Sequence, residues 1–87
     1  MLTVTKEAGA HLAQMLAKTA SPANPVIRII FDRAKFKMKR DEQRPGDATF
    51  SYRGNAVLVL DQNTSLLLDT RTLDALRINR GVKLALD

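Results

Sequence analysis

The chain has 87 residues, of which 45% are hydrophobic, and it carries a net charge of +5 and no cysteine. Its length makes one small domain, residues 1–87, and its hydrophobic content is too high for a disordered chain. The absence of cysteine excludes disulfides, thiolate metal sites and cysteine nucleophiles.

The N-terminal segment predicts a short strand followed by a helix. We expect a strand at residues 2–4, an N-cap at Thr5, whose hydroxyl can accept a bond from a free amide, and a helix over residues 6–19. The helix has one apolar stripe, made of Ala8, Leu12, Met15 and Leu16. Its opposite face is polar, made of Glu7, His11, Gln14 and Lys18. The two prolines of "SPANP" then end the helix.

Two extended segments follow these prolines. Residues 26–32, "VIRIIFD", are rich in β-branched side chains, so we expect a strand buried on at least one face through Ile27, Ile29 and Phe31. The stretch "RAKFKMKRDE" alternates charged and apolar residues. Its inner side is predicted to carry Ala34, Phe36 and Met38.

The next segments predict a turn and a hairpin. Pro45-Gly46 suits the two central positions of a turn. Residues 48–53 alternate, and we expect their inward side chains to be Ala48, Phe50 and Tyr52. Gly54-Asn55 indicates a hairpin into "AVLVLD", which is apolar on both faces and therefore predicts a central strand.

The C-terminal third predicts one helical turn or a bend at residues 65–68 and two strands, at 72–78 and 82–86, joined by a turn at 79–81. The elements together predict an α+β domain, with one N-terminal helix packed on six or seven short, mostly antiparallel strands. Its core is expected to include the helix residues Leu12, Met15 and Leu16, and the strand residues Val57, Val59, Leu73 and Leu84.

The segment "VLVLDQNTSLLLDTRTLDAL" resembles the A-type iron–sulfur carriers, which contain the HesB/IscA-like domain. The family has an apolar strand ending in Asp, a Ser or Thr three residues on, then Leu-Asp and Leu-Asp-aromatic. The matching positions here are Val57 to Asp61, Thr64, Leu68-Asp69 and Leu73-Asp74. The first strand and helix also match, as does the strand at 26–32 with Arg28 at an often basic position. The resemblance implies the HesB-like fold.

The cysteines that hold the cluster in this family have no counterpart here. The first would fall in residues 33–38, and the Cys-x-Cys pair near the family's C-terminus has no equivalent up to Asp87. Thr70-Arg71 replaces a Gly-Thr, Ala75 replaces an aromatic residue, and the loop between Met38 and Phe50 is shorter than usual. Because thiolates hold iron–sulfur clusters, we expect the fold without the cluster chemistry, and no cofactor.

Other polar residues give no sign of a catalytic or metal site. His11 is expected to be exposed and without a special role. "DQNTS" begins like a calcium loop but has Leu66 where glycine is needed and Thr72 where glutamate is needed, so Asp61 and Asn63 are predicted to cap a turn. Asp69 and Asp74 form a candidate carboxylate pair without a nucleophile. We expect neither a metal nor an enzyme.

Most of the net charge lies in residues 33–44, named here the basic segment. Its basic residues are Arg33, Lys35, Lys37, Lys39, Arg40 and Arg44. In one interpretation they protect an exposed edge strand from aggregation. In the other they form a surface for phosphates, for another anion or for an acidic protein partner. We favour edge protection, because the aromatic residues Phe36, Phe50 and Tyr52 are predicted to point inward, away from a nucleic acid.

The sequence therefore predicts a cysteine-free relative of the A-type carriers, acting as a non-catalytic interaction module that ligates no cluster and binds an unidentified protein partner. The alternative is a small basic domain that binds nucleic acid or another anion through the basic segment. With no signal peptide expected and no apolar run of the ~18 residues needed to span a membrane, we expect a cytoplasmic protein that does not bind membranes. The oligomeric state is left open, a homodimer included.

Overall fold

The computed structural model describes residues 1–18 and 25–87 and confirms the α+β architecture. In chain order the elements are β1 (Thr3–Val4), α1 (Lys6–Ala17), β2 (Val26–Asp32), β3 (Lys35–Asp41), β4 (Ala48–Tyr52), β5 (Asn55–Leu60), α2 (Gln62–Leu67), β6 (Thr72–Ile78) and β7 (Gly81–Leu86). Within the described residues, no helix has the length and apolar character that crossing a membrane requires.

The strands form two sheets. The larger sheet has the order β3-β2-β5-β4, and the smaller has the order β1-β6-β7. Each neighbouring pair along the chain, β2 with β3, β4 with β5 and β6 with β7, is antiparallel. The pairings of β1 with β6 and of β2 with β5 are parallel. The prediction of mostly antiparallel strands is thus confirmed, and β3 and β7 are edge strands.

Helix α1 packs against both sheets through the predicted apolar stripe. Ala8 and Leu12 are fully buried, and Met15 and Leu16 are partly buried against the same core. The Thr5 hydroxyl caps the helix by accepting a hydrogen bond from the amide of Ala8 at 3.1 Å. The helix ends at Ala17. The predicted end at residue 19 and most of "SPANP" lie outside the described residues.

Strand β5 is the centre of the larger sheet. It lies between β2 and β4, and its residues from Val57 to Leu60 are all buried, as a strand that is apolar on both faces requires. Val59 and Leu73 are also buried as predicted, and Leu84 is partly buried against the core.

Two predicted turns are confirmed, one of them with a shift of a residue. The carbonyl of Arg44 accepts a hydrogen bond from the amide of Asp47 at 3.1 Å, and Gly46 between them has φ 85°, as a type II turn requires. The hairpin between β4 and β5 turns at Arg53 and Gly54, with φ 52° and 82°, rather than at Gly54-Asn55. Two successive positive φ angles are typical of a type I′ hairpin turn.

The predicted inner side of the β2–β3 hairpin is wrong near its tip. Phe31 is 46% exposed and Met38 is 36% exposed. Ala34 lies outside the strands, in the turn, at φ 63°. Phe31 is exposed because β2 pairs with β5 only at Ile27 and Arg28 but continues to Asp32, so the end of the hairpin projects beyond the core. Met38 pairs with the buried Ile29, but it lies on the edge strand β3, which has no neighbour on its outer side among the described residues. Phe36 keeps a partly buried position against the core.

Candidate functional site at the β2–β3 hairpin

The basic segment begins in the turn of the β2–β3 hairpin and continues along the edge strand β3. Lys35, Lys37 and Lys39 are exposed, and their alternation places them on one face of the strand, about 7 Å apart at successive positions. The edge position that the first interpretation required is therefore confirmed.

The other basic residues do not extend this lysine face. Arg33 lies in the hairpin turn at φ 51°, and Arg44 lies in the loop between β3 and β4. Arg40 is paired with Ile27 across the hairpin, so it projects from the face opposite the lysines. The structure thus brings together three of the six predicted residues on one face.

Neighbouring carboxylates neutralise part of this lysine face. The ammonium group of Lys37 lies 3.6 Å from Asp32, and that of Lys39 lies 4.0 Å from Asp41. The guanidinium group of Arg44 lies 3.2 Å from the same Asp41. Such exposed pairs contribute little to stability, but they reduce the positive field that an anion would meet.

Beneath this surface lies a buried arginine, Arg28, which is 3% exposed. Its Nη1 and Nη2 atoms donate to the two carboxylate oxygens of Asp47 at 3.2 and 2.6 Å. Its Nε donates to Asp41 at 2.8 Å, and Nη2 also donates to the carbonyl of Glu42 at 3.0 Å. These bonds hold the loop between β3 and β4 against the larger sheet. They form the most extensive polar network among the described residues.

The network lowers the pKa values of both carboxyl groups. The hydrogen bond from Arg28 holds the pKa of Asp47 below its ordinary value, and the amide of Arg44 adds a second hydrogen bond. For Asp41, the backbone amide of Glu42 lowers the pKa most, and Arg28 lowers it further. The pKa of Arg28 is raised, chiefly by its hydrogen bond to Asp47. All three groups are therefore charged at neutral pH.

The role of Arg28 was not predicted from the sequence, in which this residue was only a point of resemblance to the family. A signal was present, because Arg28 is a charged residue among the β-branched residues of a strand. Buried charges require partners, and two aspartates, Asp41 and Asp47, flank the following loop. The sequence alone does not say which of the nearby acids would reach it.

His11 is less exposed than predicted. It is partly buried, and its Nδ1 atom is buried without a hydrogen-bond partner among the described residues. Asp69 binds the amino group of Met1, whereas Asp74 accepts from the hydroxyl of Thr5 and the amide of Ala75, so the two carboxylates have separate structural partners. In the described ranges, no three His, Asp or Glu side chains are grouped to hold a metal ion.

The predicted cap at Asp61 is confirmed, since its carboxylate accepts a hydrogen bond from the amide of Thr64 at 2.7 Å and begins α2. No hydrogen bond of the Asn63 side chain occurs in the described part of the chain. The segment that superficially resembles a calcium loop is thus the start of a helix, with Thr64 buried inside it.

A groove of about 820 Å³ lies between the end of α1 and the β4–β5 hairpin. Leu16, Tyr52 and Val57 line it, and its charged lining residues are Glu42 and Arg53. The guanidinium group of Arg53 lies over the Tyr52 ring, 5.4 Å from its centre. Among the described residues that line the groove there is no histidine, serine or threonine.

The solved structures that share this fold include SufA and IscA. The crystal structure of Escherichia coli SufA, described as involved in the biosynthesis of iron–sulfur clusters, matches with a TM-score of 0.75 and 20% sequence identity. That match covers 99% of this chain and 83% of SufA. The crystal structure of IscA with a [2Fe-2S] cluster matches with a TM-score of 0.63 and 15% identity, over 100% of this chain and 81% of IscA.

Comparisons of the sequence alone give no further relative. No protein-family model matches the chain, and no curated protein matches it. The structural matches nevertheless cover the chain from end to end and confirm the fold that the resemblance implied. The chain has the fold of the A-type iron–sulfur carriers SufA and IscA, and it has that fold without a cysteine.

Proposed function

We propose that this chain is a cysteine-free relative of the A-type carriers that uses their fold as a protein-interaction module and neither ligates a cluster nor catalyses a reaction. The observation that carries the proposal is a carrier fold over the whole chain in a sequence without one thiolate. A fold hosts many functions, so the side chains present must decide between them.

The side chains do not fit an iron–sulfur cluster. Residues 33–38, where the first ligand of the family would fall, form the hairpin turn and the start of β3. The side chains there include Arg33, Lys35 and Lys37, and protonated ammonium and guanidinium groups have no lone pair to offer iron. The chain therefore lacks the donors of a carrier at the position where the fold would present them.

Among the described residues, the candidate carboxylates serve structural contacts, which supports a non-catalytic role. The one histidine has its Nδ1 buried and unbonded, and Asp69 and Asp74 serve structural hydrogen bonds. The guanidinium group of Arg28 is engaged in hydrogen bonds that hold the loop between β3 and β4 in place. The described surface has exposed charged residues, open sheet edges and exposed apolar side chains. Such features occur at protein–protein interfaces.

Anaerobic reconstitution of the isolated chain with iron and sulfide tests the proposal. We expect a colourless protein without bound iron or sulfide, because no thiolate is available. IscA treated in the same way is the positive control. A brown protein with stoichiometric iron and sulfide would contradict the proposal.

The alternative function, binding of nucleic acid or another anion, has one supporting observation, the common face of Lys35, Lys37 and Lys39. Two observations oppose it. Asp32 and Asp41 partly neutralise that face. In addition, the exposed aromatic ring of the hairpin, Phe31, pairs with Phe36 on the face opposite the lysines.

Replacing Lys35, Lys37 and Lys39 with Gln decides between edge protection and anion binding. We expect the thermal midpoint to stay unchanged, because exposed ion pairs contribute little to stability. We also expect lower solubility and only a modest loss of retention on nucleic acid. Fluorescence anisotropy with a labelled oligonucleotide at two salt concentrations measures the binding. The matched control replaces the exposed Lys6, Lys18 and Arg53 with Gln, for the same change in charge. Tight binding that falls steeply with salt and is lost only in the first variant would support the alternative.

A further inference from the structure

The β6–β7 hairpin ends in an open sheet edge with exposed apolar side chains. Strand β7 pairs with β6 on one side, and no strand of the described chain lies on the other. Leu76, Ile78 and Val82 are 49%, 53% and 39% exposed. Lysines, which protect edge strands, number three on β3 but only one, Lys83, on β7.

The hydrogen-bond register shows which backbone groups of β7 are free. Thr72 and Asp87 exchange both amide-to-carbonyl bonds, at 3.3 and 2.8 Å. Because bonded and non-bonded pairs alternate along antiparallel strands, Ala85 and Lys83 also belong to bonded pairs. The amides and carbonyls of Val82, Leu84 and Leu86 therefore point away from β6, and they form no other backbone hydrogen bond within the described residues.

Uncompensated positive charge surrounds this edge. Arg77, Arg80 and Lys83 are exposed, and none of them has an ion-pair partner in the described part of the chain. In the basic segment, Lys37, Lys39 and Arg44 lie within 4.0 Å of a carboxylate, whereas Arg33, Lys35 and Arg40 have no ion-pair partner among the described residues. The three cations of the β6–β7 hairpin are therefore available to an acidic partner, and they lie beside an edge with fewer protective lysines than β3.

We propose that the β7 edge accepts an extended segment of a protein partner in which acidic residues alternate with apolar ones. The inference rests on the proposed function and names its partner class. A strand added beside β7 places one set of alternate side chains next to Lys83 and the other next to Val82, because these two residues project from opposite faces. On the first face, Lys83 suits a carboxylate and has the apolar Leu76 as its cross-strand partner. On the second face, Val82 and Leu84 suit apolar side chains, and Arg77 lies across from Val82.

Other occupants fit the edge less well. A second copy of this chain would bring its own Arg77, Arg80 and Lys83 against the same three residues, and like charges repel. A nucleic acid could pair with the basic side chains, but it would leave the outward amides and the apolar side chains without partners. An acidic, extended segment can pair with the outward backbone groups, the apolar side chains and the basic side chains of the edge.

Fluorescence anisotropy with a labelled peptide of alternating Glu and Val, its ends blocked, tests the inference on the full chain. We expect saturable binding that weakens as salt is raised. A peptide of alternating Lys and Val has the same strand propensity and the opposite charge. It should bind at least about tenfold more weakly, because its lysines would face Lys83.

Two variants locate the binding site. Lys83→Glu should weaken binding about fivefold, whereas the matched control Lys35→Glu, on the other edge, should leave it unchanged. Val82→Pro removes one outward amide without removing a bond to β6, and it should weaken binding about tenfold. Circular dichroism verifies that both variants are folded. If Val82→Pro unfolds the domain, the comparison of Lys83→Glu with Lys35→Glu decides alone.

Several outcomes would overturn the inference. They are the absence of saturable binding, equal losses in Lys83→Glu and Lys35→Glu, displacement of the peptide by an oligonucleotide, and a dimer in sedimentation that Val82→Pro dissociates. The last would show that a second copy occupies the edge. If the protein stays colourless after reconstitution and does not bind the peptide, only this inference is contradicted. A protein that takes up a cluster contradicts the proposed function instead.

Discussion

Replacing Arg28 with Met is expected to lower the free energy of unfolding by about 3–5 kcal/mol, because it removes one partner of a buried ion pair. The side chain of Asp47 is only 6% exposed, so its carboxylate would lose its bidentate partner without gaining water. Met retains an unbranched apolar chain, so the loss reports mainly on the guanidinium group. Urea denaturation followed by circular dichroism measures the change.

The matched control is Arg44→Met. Arg44 binds the same Asp41, but its side chain is 63% exposed, and exposed ion pairs contribute at most about 1 kcal/mol. If the two variants are destabilised equally, or if Arg28→Met costs less than about 1 kcal/mol, the network around Arg28 does not stabilise the fold as described here.

The same network sets the response to acid. The pKa values of Asp41 and Asp47 are lower in the folded chain than their value of about 3.9 in an unfolded one. Their contribution to stability is therefore complete above that unfolded value and is lost as the pH falls through the folded pKa values. Arg28→Met should have a weaker dependence of stability on pH below about pH 4, since it removes the main cause of the shift at Asp47.

Leu12→Ala is expected to destabilise the domain by about 2–5 kcal/mol. Leu12 is fully buried where α1 meets the core, so the substitution removes apolar contacts and leaves a cavity between the helix and the sheets. Chemical denaturation measures the loss. The cost lies at the high end of this range if the helix cannot move inward to fill the space.

Leu66→Ala is the control for the same change of side chain at the surface. Leu66 is 76% exposed in α2, so we expect a change within about 0.5 kcal/mol. A small effect at Leu12, or equal effects at the two positions, would contradict the packing of α1.

Local patterns predicted much of this fold. The hydroxyl of Thr5 and the carboxylate of Asp61 begin the two helices because each caps an amide of its own first turn. The double-sided apolar pattern of β5 identified the centre of the larger sheet, and Pro45-Gly46 identified a turn. These features depend on neighbours within a few residues, which a sequence displays directly.

The errors arose where distant residues decide the outcome. Alternation predicted that Phe31 would be buried, but the end of its hairpin projects past the pairing with β5, and no local pattern records where a neighbouring strand stops. Met38 is partly exposed because β3 is an edge strand, which only the strand order shows. Arg28 is buried because Asp41 and Asp47 fold back over it, which depends on the path of the loop. The free edge of β7 likewise followed only from the strand order.

The lysines of β3 were predicted in part from the sequence and depend in part on distant residues. Their common face followed from period-two geometry, and their position on an edge strand is confirmed. Their ion pairs with Asp32 and Asp41 depend on the cross-strand register and on the loop after β3. The sequence therefore located the positive charge but not the acids that neutralise part of it.

We propose that this chain has the carrier fold and ligates no cluster. The measurement that tests it most directly is the iron and sulfide content of the chain after anaerobic incubation with cluster-loaded IscA and subsequent separation of the two proteins. We expect all iron and sulfide to stay with IscA, and direct reconstitution to leave the chain colourless as well, because the chain has no thiolate to receive a cluster. Stoichiometric iron and sulfide recovered with the separated chain would contradict it.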